Sequence, residues 1–186
     1  ESIREIKSLK SVVIITSDKC YQNDEISRGD RETDRLGGDD PYSASKAATE
    51  IIFNAYLKSN FFNFKKMGIA TARAGNVIGG GDWSKNRIIP DCVKSIKNNK
   101  KFIIRNPNST RPWQHVLEPI SGYLLLAKKL REKPFIYSSS YNFGPSTAQT
   151  LSVKKVVKIF FEELQVRKKI FHNKNKFKES KLLKLN

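Results

Sequence analysis

This sequence contains no long apolar run and few cysteines. No stretch of its 186 residues approaches the roughly 20 apolar side chains that a membrane-spanning helix needs, and its first ten residues lack the apolar core of a signal peptide. Its two cysteines, Cys20 and Cys92, are too few for a disulfide scaffold and lack metal-ligand spacing. We therefore expect a soluble, cytoplasmic protein with reduced thiols that are buried or half-buried, no metal site and no membrane partner.

Acidic residues are also scarce. Lys and Arg number 35 against 18 Asp and Glu, which gives a net charge of +17, as some nucleic-acid-binding proteins have. The lysines are spread along the chain, however, and lack the interleaved aromatic residues of a single-strand binding platform. We favour a basic, solvated surface that attracts an anionic small molecule, with no nucleic-acid partner. Nucleic-acid binding stays open as the alternative, and it predicts a steeply salt-dependent affinity.

The chain is long enough for one ordinary domain, and its apolar pattern alternates between strand and helix. Continuous β-branched runs predict buried parallel strands, whereas apolar residues at helical spacing, such as Ala47, Ile51 and Ala55, predict helices. The predicted strands are 11–16, 68–77, 101–105 and 141–143. The predicted helices are the end of one at 2–9, then 42–58, 89–98, 118–131 and 152–164, the last with Ser152 as its N-cap. Strands separated by helices indicate an α/β fold with a parallel sheet.

Polar residues follow the first predicted strand directly. The run Thr16-Ser17-Asp18-Lys19 places a hydroxyl, a carboxylate and an ammonium at its carboxyl end, where open parallel sheets bind their ligands. These groups can supply one hydrogen bond and two proton-transfer steps. On these residues alone, a strand-to-loop turn in which Asp18 caps local N–H groups is the competing interpretation.

A tyrosine and a lysine begin the next predicted helix. In Tyr42-Ser43-Ala44-Ser45-Lys46 they stand at i and i+4, so they share one helix face and the ammonium can lie near the phenol. A nearby positive charge favours an ionised phenolate, the form that removes a proton from an alcohol. An ordinary surface pair has the same spacing. The position of this pair, one loop after the hydroxyl and carboxylate, makes the proton-transfer interpretation more specific.

The two motifs together resemble the extended short-chain dehydrogenase/reductase family, and the resemblance runs from about Val12 to Gly144. Further segments match the family and occur in the same order along the chain. Their amino-acid sequences are most similar to those of the CDP-glucose 4,6-dehydratases within the family. The matching segments are Thr16–Tyr21, Asp40–Lys46, Ala72–Trp83, Arg87–Pro90, Arg105–Asn108, Arg111–Pro119 and Tyr141–Gly144, with a fainter match in Glu179–Asn186.

The resemblance implies NAD-dependent conversion of CDP-glucose to CDP-4-keto-6-deoxyglucose, a step of deoxysugar biosynthesis for lipopolysaccharide O-antigen. Tyr42 would take the proton of the sugar 4-hydroxyl while a hydride moves to NAD. Lys46 would favour the phenolate and hold the nicotinamide ribose, and Ser17 would hydrogen-bond the same hydroxyl. Asp18 would protonate the departing 6-hydroxyl. Lys19 stands where other nucleotide-sugar dehydratases have a glutamate, which supports the CDP-glucose branch and leaves the base that removes the C5 proton open.

Binding roles are implied in the same way, with surface ion pairs or core packing as the competing interpretations. The substrate-binding residues would be Ser17, Asn76, Arg87, Ile88, Arg111 and Asn142, and the cofactor contacts Tyr42, Lys46 and Val77. Arg111 suits a diphosphate because its guanidinium offers a planar fork of donors. We expect Trp83, Trp113 and His115 to be structural or cleft-lining, with no catalytic role for His115.

The implied architecture is a partial Rossmann-type sheet with helices in residues 1–80 and a smaller, mainly substrate-binding region in residues 81–186, intertwined with the first. The sequence lacks the Gly-x-x-Gly-x-x-Gly loop that receives a dinucleotide pyrophosphate; Gly79-Gly80-Gly81 follows a late strand and has the wrong spacing. We therefore expect this chain alone to bind NAD poorly.

The resemblance also implies a homodimer of the full-length form, built partly by the helix of Tyr42 and Lys46. Two further functions compete with CDP-glucose dehydration. One is a dehydratase or epimerase for another nucleotide sugar, and the other is an inactive remnant that binds nucleotide sugars or nothing.

Overall fold

The computed structural model describes residues 2–22, 24, 27–59, 66–146, 150–167, 170–172 and 182–185. Its helices are α1 (Pro41–Lys58), α2 (Ile88–Lys97), α3 (Leu117–Glu132), α4 (Pro134–Tyr137) and α5 (Val153–Glu163), with 3-10 turns at Ser2–Glu5 and Asp18–Cys20. Its strands are β1 (Ser11–Ile15), β2 (Gly68–Ala74), β3 (Val77–Ile78), β4 (Phe102–Ile104), β5 (Thr110–Arg111), β6 (Gln114–His115), β7 (Ser140–Phe143), β8 (Leu151–Ser152) and β9 (Ile170–His172).

The main sheet has three strands in the order β1-β2-β7, and both pairs are parallel. Ser11 lies opposite Gly68 in the first pair, and Thr71 lies opposite Ser140 in the second. The predicted α/β fold with a parallel sheet is therefore confirmed. Because all three strands run the same way, their carboxyl ends lie at one edge of the sheet.

Helices cover both faces of this sheet. Successive side chains of a strand point to opposite faces. Ala70 of β2 packs against Leu126 and Leu130 of α3, whereas the hydroxyl of Thr71 donates to Glu50 of α1. Helices α1 and α3 therefore lie on opposite sides, which gives three layers, helix, sheet and helix.

A second core lies among α2, β4, α5 and β9, with β4 and β9 paired in parallel. The rings of Phe102 and Phe161 meet edge to face at 5.6 Å between centroids. Ser152 caps α5 as predicted, because its hydroxyl accepts from the Lys155 N–H at 3.3 Å. The division into regions 1–80 and 81–186 stays a prediction, since β7 of the second region completes the sheet of the first.

Two predicted elements differ from the structure, and several short elements were not predicted. The predicted helix end at 2–9 is only the 3-10 turn Ser2–Glu5. The predicted strand 68–77 is two strands, β2 and β3, because the chain leaves the sheet after Ala74 and Val77 pairs instead with Gln114 of β6. Helix α4 and the strands β5, β6, β8 and β9 were not predicted, because elements of two to four residues are too short for periodicity to identify.

The buried face of α1 is not the one that its apolar spacing indicates. Ala47 is buried, but Ile51 is 57% exposed and Ala55 is also exposed. The helix instead buries Glu50, whose polar atoms find partners on the sheet. Periodicity therefore identified the helix without identifying which side chains it buries.

Both cysteines are free and fully buried, as predicted. Burial raises the pKa of each thiol to about 12. Near the end of the chain, Leu185 packs against Cys20 and Tyr21, whereas residues 173–181 of the basic tail lie outside the described residues. No helix in the described part of the chain is long and apolar enough to cross a membrane.

Candidate functional site

A cleft of about 580 Å³ lies at the carboxyl edge of the main sheet. Its lining falls into two groups along the chain. We call residues 15–19, 42 and 74–77 the strand-end group, and the lining residues from Ile78 onward the outer group. The outer group comprises Ile78, Gly79, Asp82, Asn86, Arg87, Ile88, Ile89, Pro90, Asp91, Phe102, Ile103, Ile104, Arg105, Asn106, Arg111, Trp113, Tyr123 and Val153.

Ser17 and Asp18 form the buried part of the strand-end group. Ser17 caps the 3-10 turn that follows β1, since its hydroxyl accepts from the Lys19 N–H at 3.2 Å and donates to Asp18 Oδ1 at 3.0 Å. Asp18 is 5% exposed, and its Oδ2 has no hydrogen-bond partner among the described residues. Burial raises the pKa of Asp18; the Ser17 hydrogen bond and the charges of Lys19 and Arg111 oppose that rise. The arrangement favours a carboxylic acid that can give up a proton inside the cleft.

Tyr42 reaches the cleft from the first turn of α1. Asp40 sets the helix start, because its carboxylate accepts from the N–H groups of Tyr42 and Ser43 at 2.9 and 3.0 Å, and Pro41 follows it at the first helical position. Lys46 lies one turn later, with its Nζ 5.6 Å from the centre of the Tyr42 ring. The tyrosine ring is 52% exposed, so its hydroxyl is accessible to a ligand.

Gly75 brings the two groups of the cleft into contact. A Cβ at this position would lie 2.5 Å from Pro112 Cγ and 3.4 Å from Asp18 Oδ2. Only glycine therefore lets the segment carrying Arg111 approach the end of β2. Beyond this contact, β3 and β6 pair in parallel, and the Gln114 N–H donates to the Asn76 carbonyl at 3.0 Å.

Basic residues dominate the charged lining of the outer group. Arg87, Arg105 and Arg111 line it together with Asp82 and Asp91. Arg111 is 4% exposed and donates to the Thr110 carbonyl at 2.8 Å. Arg87 is 64% exposed, with Asp82 Oδ2 3.8 Å from its Nε. A cleft lined in this way attracts an anion, and the planar guanidinium groups suit a phosphate.

The structure brings most of the predicted site residues to this one cleft. The predicted residues that line it are Ser17, Asp18, Lys19, Tyr42, Asn76, Val77, Arg87, Ile88 and Arg111. Lys46 stands behind Tyr42 on α1. Asn142 lies elsewhere, since its amide accepts from the Tyr21 hydroxyl at 2.7 Å and donates to the Asp30 carbonyl at 2.9 Å. Its predicted contact with a nucleotide stays a prediction.

Other residues reach the cleft without having been assigned a role. Arg105 and Asn106 line the cleft and belong to a segment whose sequence matches the family, so the motif could have indicated them. Tyr123, on α3, also lines the cleft, and no sequence motif indicates it. Trp113 lines the cleft and donates its indole N–H to the Leu151 carbonyl at 3.0 Å. His115 accepts from the Leu117 N–H at 3.3 Å, next to the start of α3.

The sequence is similar to that of known proteins. A sequence model described as the NAD-dependent epimerase/dehydratase family matches residues 1–164. CDP-glucose 4,6-dehydratase of Salmonella typhimurium is 48% identical over 161 residues, which cover 84% of this chain and 45% of that enzyme. dTDP-D-glucose 4,6-dehydratase of Dictyostelium discoideum is 26% identical over 162 residues, 81% of this chain and 35% of the relative. The chain thus spans less than half the length of these relatives.

Solved structures share the fold at low identity. dTDP-glucose 4,6-dehydratase of Bacillus anthracis, solved in complex with NAD, aligns with a TM-score of 0.80 at 22% identity over 100% of this chain and 55% of that one. UDP-glucose 4-epimerase of Thermotoga maritima, solved with UDP-glucose, aligns with a TM-score of 0.77 at 14% identity over 96% and 55%. These likenesses support the Rossmann-type architecture predicted from the sequence.

Proposed function

This chain belongs to the NAD-dependent epimerase/dehydratase family, and on that premise we propose that it is the catalytic and substrate-binding part of a CDP-glucose 4,6-dehydratase. The observation that carries the proposal is the meeting of Ser17, Asp18 and Tyr42 in one cleft. The 48% identity with the Salmonella enzyme supports the choice of CDP-glucose. The product would be CDP-4-keto-6-deoxyglucose, a precursor of the kind that deoxysugar biosynthesis uses.

The first step is oxidation at C4 of the glucose ring. Bound NAD would supply the hydride chemistry, from C4 at the start of the reaction and back to C6 at its end. Tyr42 removes the proton of the 4-hydroxyl, and the ammonium of Lys46, 5.6 Å from the Tyr42 ring, favours the phenolate that does so. Ser17 hydrogen-bonds the same hydroxyl and orients it. Tyr42, Lys46 and Val77 would hold the nicotinamide riboside, because Tyr42 and Val77 line the cleft and the ammonium of Lys46 lies beside the Tyr42 ring.

Elimination of water across C5 and C6 follows. A ketone at C4 makes the C5 proton acidic, and Lys19, which lines the cleft, is our candidate for the group that removes it. The C6–O bond then breaks, and the departing hydroxyl takes the proton of Asp18. Burial raises the pKa of Asp18, which favours the protonated carboxyl that this step needs. Return of the hydride to C6 and of a proton to C5 completes the reaction without net oxidation.

The outer group, together with Asn76 of the strand-end group, would hold the nucleotide. We assign Arg111 and Asn76 to the sugar diphosphate, and Arg87 and Ile88 to the nucleoside side. Arg111 is the best suited of these, because it is buried in the lining with its orientation fixed by the Thr110 carbonyl. The exposed Arg87 can reach a ligand only by leaving Asp82. This arrangement supports recognition of the diphosphate more directly than recognition of the base.

The experiment is detection of product by mass spectrometry. Two proteins would be incubated with NAD and with CDP-, dTDP- or UDP-glucose: this chain, and this chain fused to the amino-terminal half of the Salmonella relative. We expect loss of water from CDP-glucose with the fusion, lowered about 10²- to 10⁴-fold in Tyr42→Phe, which removes only the proton-transfer group. Asp18→Asn should accumulate the 4-keto sugar that has not lost water.

Other results of this experiment would indicate a different function. A folded fusion that binds NAD but yields no product contradicts the dehydratase proposal. Inversion at C4 without loss of water would favour an epimerase, and a preference for dTDP- or UDP-glucose would favour another nucleotide sugar. Binding of CDP-glucose with no turnover by any form would identify a remnant that only binds its ligand.

We also propose that the full-length form is a homodimer with α1 in the interface. Ile51 and Ile52 are each 57% exposed on this helix, and adjacent exposed isoleucines favour an apolar contact. Sedimentation of the fusion should give twice the monomer mass, and Ile51→Lys should return it to the monomer. Ile159→Lys, on the 40% exposed Ile159 of α5, is the control that should leave the mass unchanged. A monomeric fusion would contradict the proposal.

A further inference from the structure

A buried ion pair lies beneath the strand-end group. Arg73 Nη2 and Glu50 Oε2 are 2.7 Å apart, and the two side chains are 1% and 0% exposed. Neither residue lines the cleft, and the mechanism above uses neither. Taking two charges out of water costs about as much as their attraction returns, so a buried ion pair is a poor device for stability alone. Its contacts indicate another use.

The carboxylate of Glu50 joins α1 to every strand of the main sheet. Its Oε1 accepts from the Thr16 hydroxyl, which follows β1, at 2.5 Å. Its Oε2 accepts from Thr71 of β2 at 2.8 Å and lies 3.1 Å from the Ser140 hydroxyl of β7. A single side chain therefore fixes the distance of the helix from three strands at once.

The guanidinium of Arg73 extends this network to the segment after the 3-10 turn. Its Nη1 donates to the Tyr21 hydroxyl at 2.7 Å and to the Glu32 carbonyl at 3.0 Å. The Tyr21 hydroxyl in turn donates to Asn142 at 2.7 Å. The Nε of Arg73 has no hydrogen-bond partner among the described residues. Because an unsatisfied buried donor costs free energy, this site is not optimised for stability.

The network connects the two elements that carry the reacting side chains. Glu50 lies one turn beyond Lys46 and two beyond Tyr42, on the same side of α1. Thr16 directly precedes Ser17 and Asp18. We propose that Glu50 and Arg73 are positioning residues, which hold the Tyr42 helix at a fixed distance from Ser17 and Asp18 through the Thr16 hydroxyl. The proposal rests on the proposed function, and it predicts an effect on turnover because a displacement of about 1 Å can cost on the order of 10² in rate.

The test removes one hydroxyl from the network without breaking the ion pair. Thr16→Val deletes the contact between Glu50 and the strand end that carries Ser17. Thr71→Val deletes a second buried hydroxyl on the same carboxylate, one that also contacts the Ser140 hydroxyl at 2.8 Å. It lies away from the reacting groups and is the control. Thr16→Ser keeps the hydroxyl and tests rescue. All variants would be made in the fusion described above, and their thermal melting would be recorded so that kinetics are measured on folded protein.

We expect Thr16→Val to lower kcat about tenfold or more with KM within about twofold, Thr16→Ser to restore it, and Thr71→Val to lower kcat less than about threefold. Equal losses of kcat in the two valine variants would overturn the proposal, as would a loss confined to KM. Absence of product from the unsubstituted fusion contradicts the proposed function instead. In that case crystal structures of the variants would still test the positioning role. A Tyr42–Ser17 separation that moves by about 0.5 Å or more in Thr16→Val alone supports the positioning role, and an unchanged separation refutes it.

Discussion

The two groups of residues that line the cleft are built differently. In the strand-end group, Ser17 and Asp18 are buried, and Glu50 and Arg73 beneath them connect the group to helix and sheet through hydrogen bonds. In the outer group, Arg87 and Asp82 lie on an exposed loop and are joined by an ion pair 3.8 Å long, and the Ser84 N–H donates to Asp82 within the same loop. Proton transfer needs positions fixed to a fraction of an ångström, whereas capture of an anion tolerates mobile cations. Buried hydrogen bonds therefore hold Ser17 and Asp18, the side chains proposed to take part in bond breaking, whereas Arg87 and Asp82 are exposed to an entering ligand.

The largest expected effect tests the support of the strand-end group. Arg73→Met leaves the Glu50 carboxylate buried without its cation, which should lower the free energy of unfolding by about 3–5 kcal/mol, measured by urea denaturation. Arg28→Met breaks the exposed pair with Asp34, 2.8 Å apart, and should lower the free energy of unfolding far less, because solvent screens this pair. Similar losses of unfolding free energy in both variants would mean that the buried ion pair stabilises the fold no more than the exposed one.

The next effect tests the contact between the two groups. In Gly75→Ala the new Cβ meets Pro112 Cγ at 2.5 Å, so the segment of Arg111 must move, at a cost of about 1–3 kcal/mol in unfolding free energy. Gly80→Ala is the control, because nothing lies within 4 Å of a Cβ there. Thermal melting of both variants provides the measurement. A neutral Gly75→Ala would show that the two groups can separate freely.

A smaller effect is expected in the outer group. Arg87→Ala should weaken CDP binding about fivefold, which corresponds to roughly 1 kcal/mol, and the loss should shrink as salt is added, because the side chain is exposed. Titration calorimetry at two salt concentrations would measure it. Lys85→Ala removes an exposed cation outside the lining and should leave the affinity unchanged. Equal losses would indicate general charge attraction.

The smallest expected effect is a change in the pH dependence of stability, and it comes from Asp30, which lies outside the cleft. Burial raises the pKa of Asp30 from 3.8 to about 6, so its contribution to stability is present below about pH 4 and is lost as the pH rises through 6. Asp30→Asn should therefore raise the melting temperature relative to the unsubstituted protein at pH 7.5, with a difference that shrinks toward pH 4.

Asp34 provides a control of opposite sign. The hydrogen bond from Arg28 lowers the pKa of Asp34 from 3.8 to about 2, so its contribution is present above pH 4 and is lost as the pH falls through 2. Asp34→Asn should lower the melting temperature at pH 7.5 and have little effect at pH 2. A difference for Asp30→Asn that does not depend on pH would contradict the assignment of its pKa.

Sequence reasoning was most successful where one local pattern was sufficient. The β-branched run before Thr16 predicted β1, and the spacing of Tyr42 and Lys46 predicted a shared helix face, which agrees with the 5.6 Å contact between them. Asn142 shows the limit of matching segments. Its motif indicates a ligand contact, and in the structure its amide is bonded to Tyr21 and Asp30. A motif carries no information about which neighbours bond a polar group, so the ligand contact stays a prediction.

The parallel α/β architecture, the family, and the residues that follow each strand can be predicted from the sequence, since they depend on periodicity and on short runs of neighbouring residues. Which helix face is buried and how the cleft is supported depend on contacts between distant parts of the chain, which local patterns do not contain. Glu50 illustrates the difference. In the sequence it is an acidic residue among apolar ones, and only the approach of Thr16, Thr71 and Arg73 from distant parts of the chain makes its burial possible. A buried charge needs partners, and the fold brings them to it.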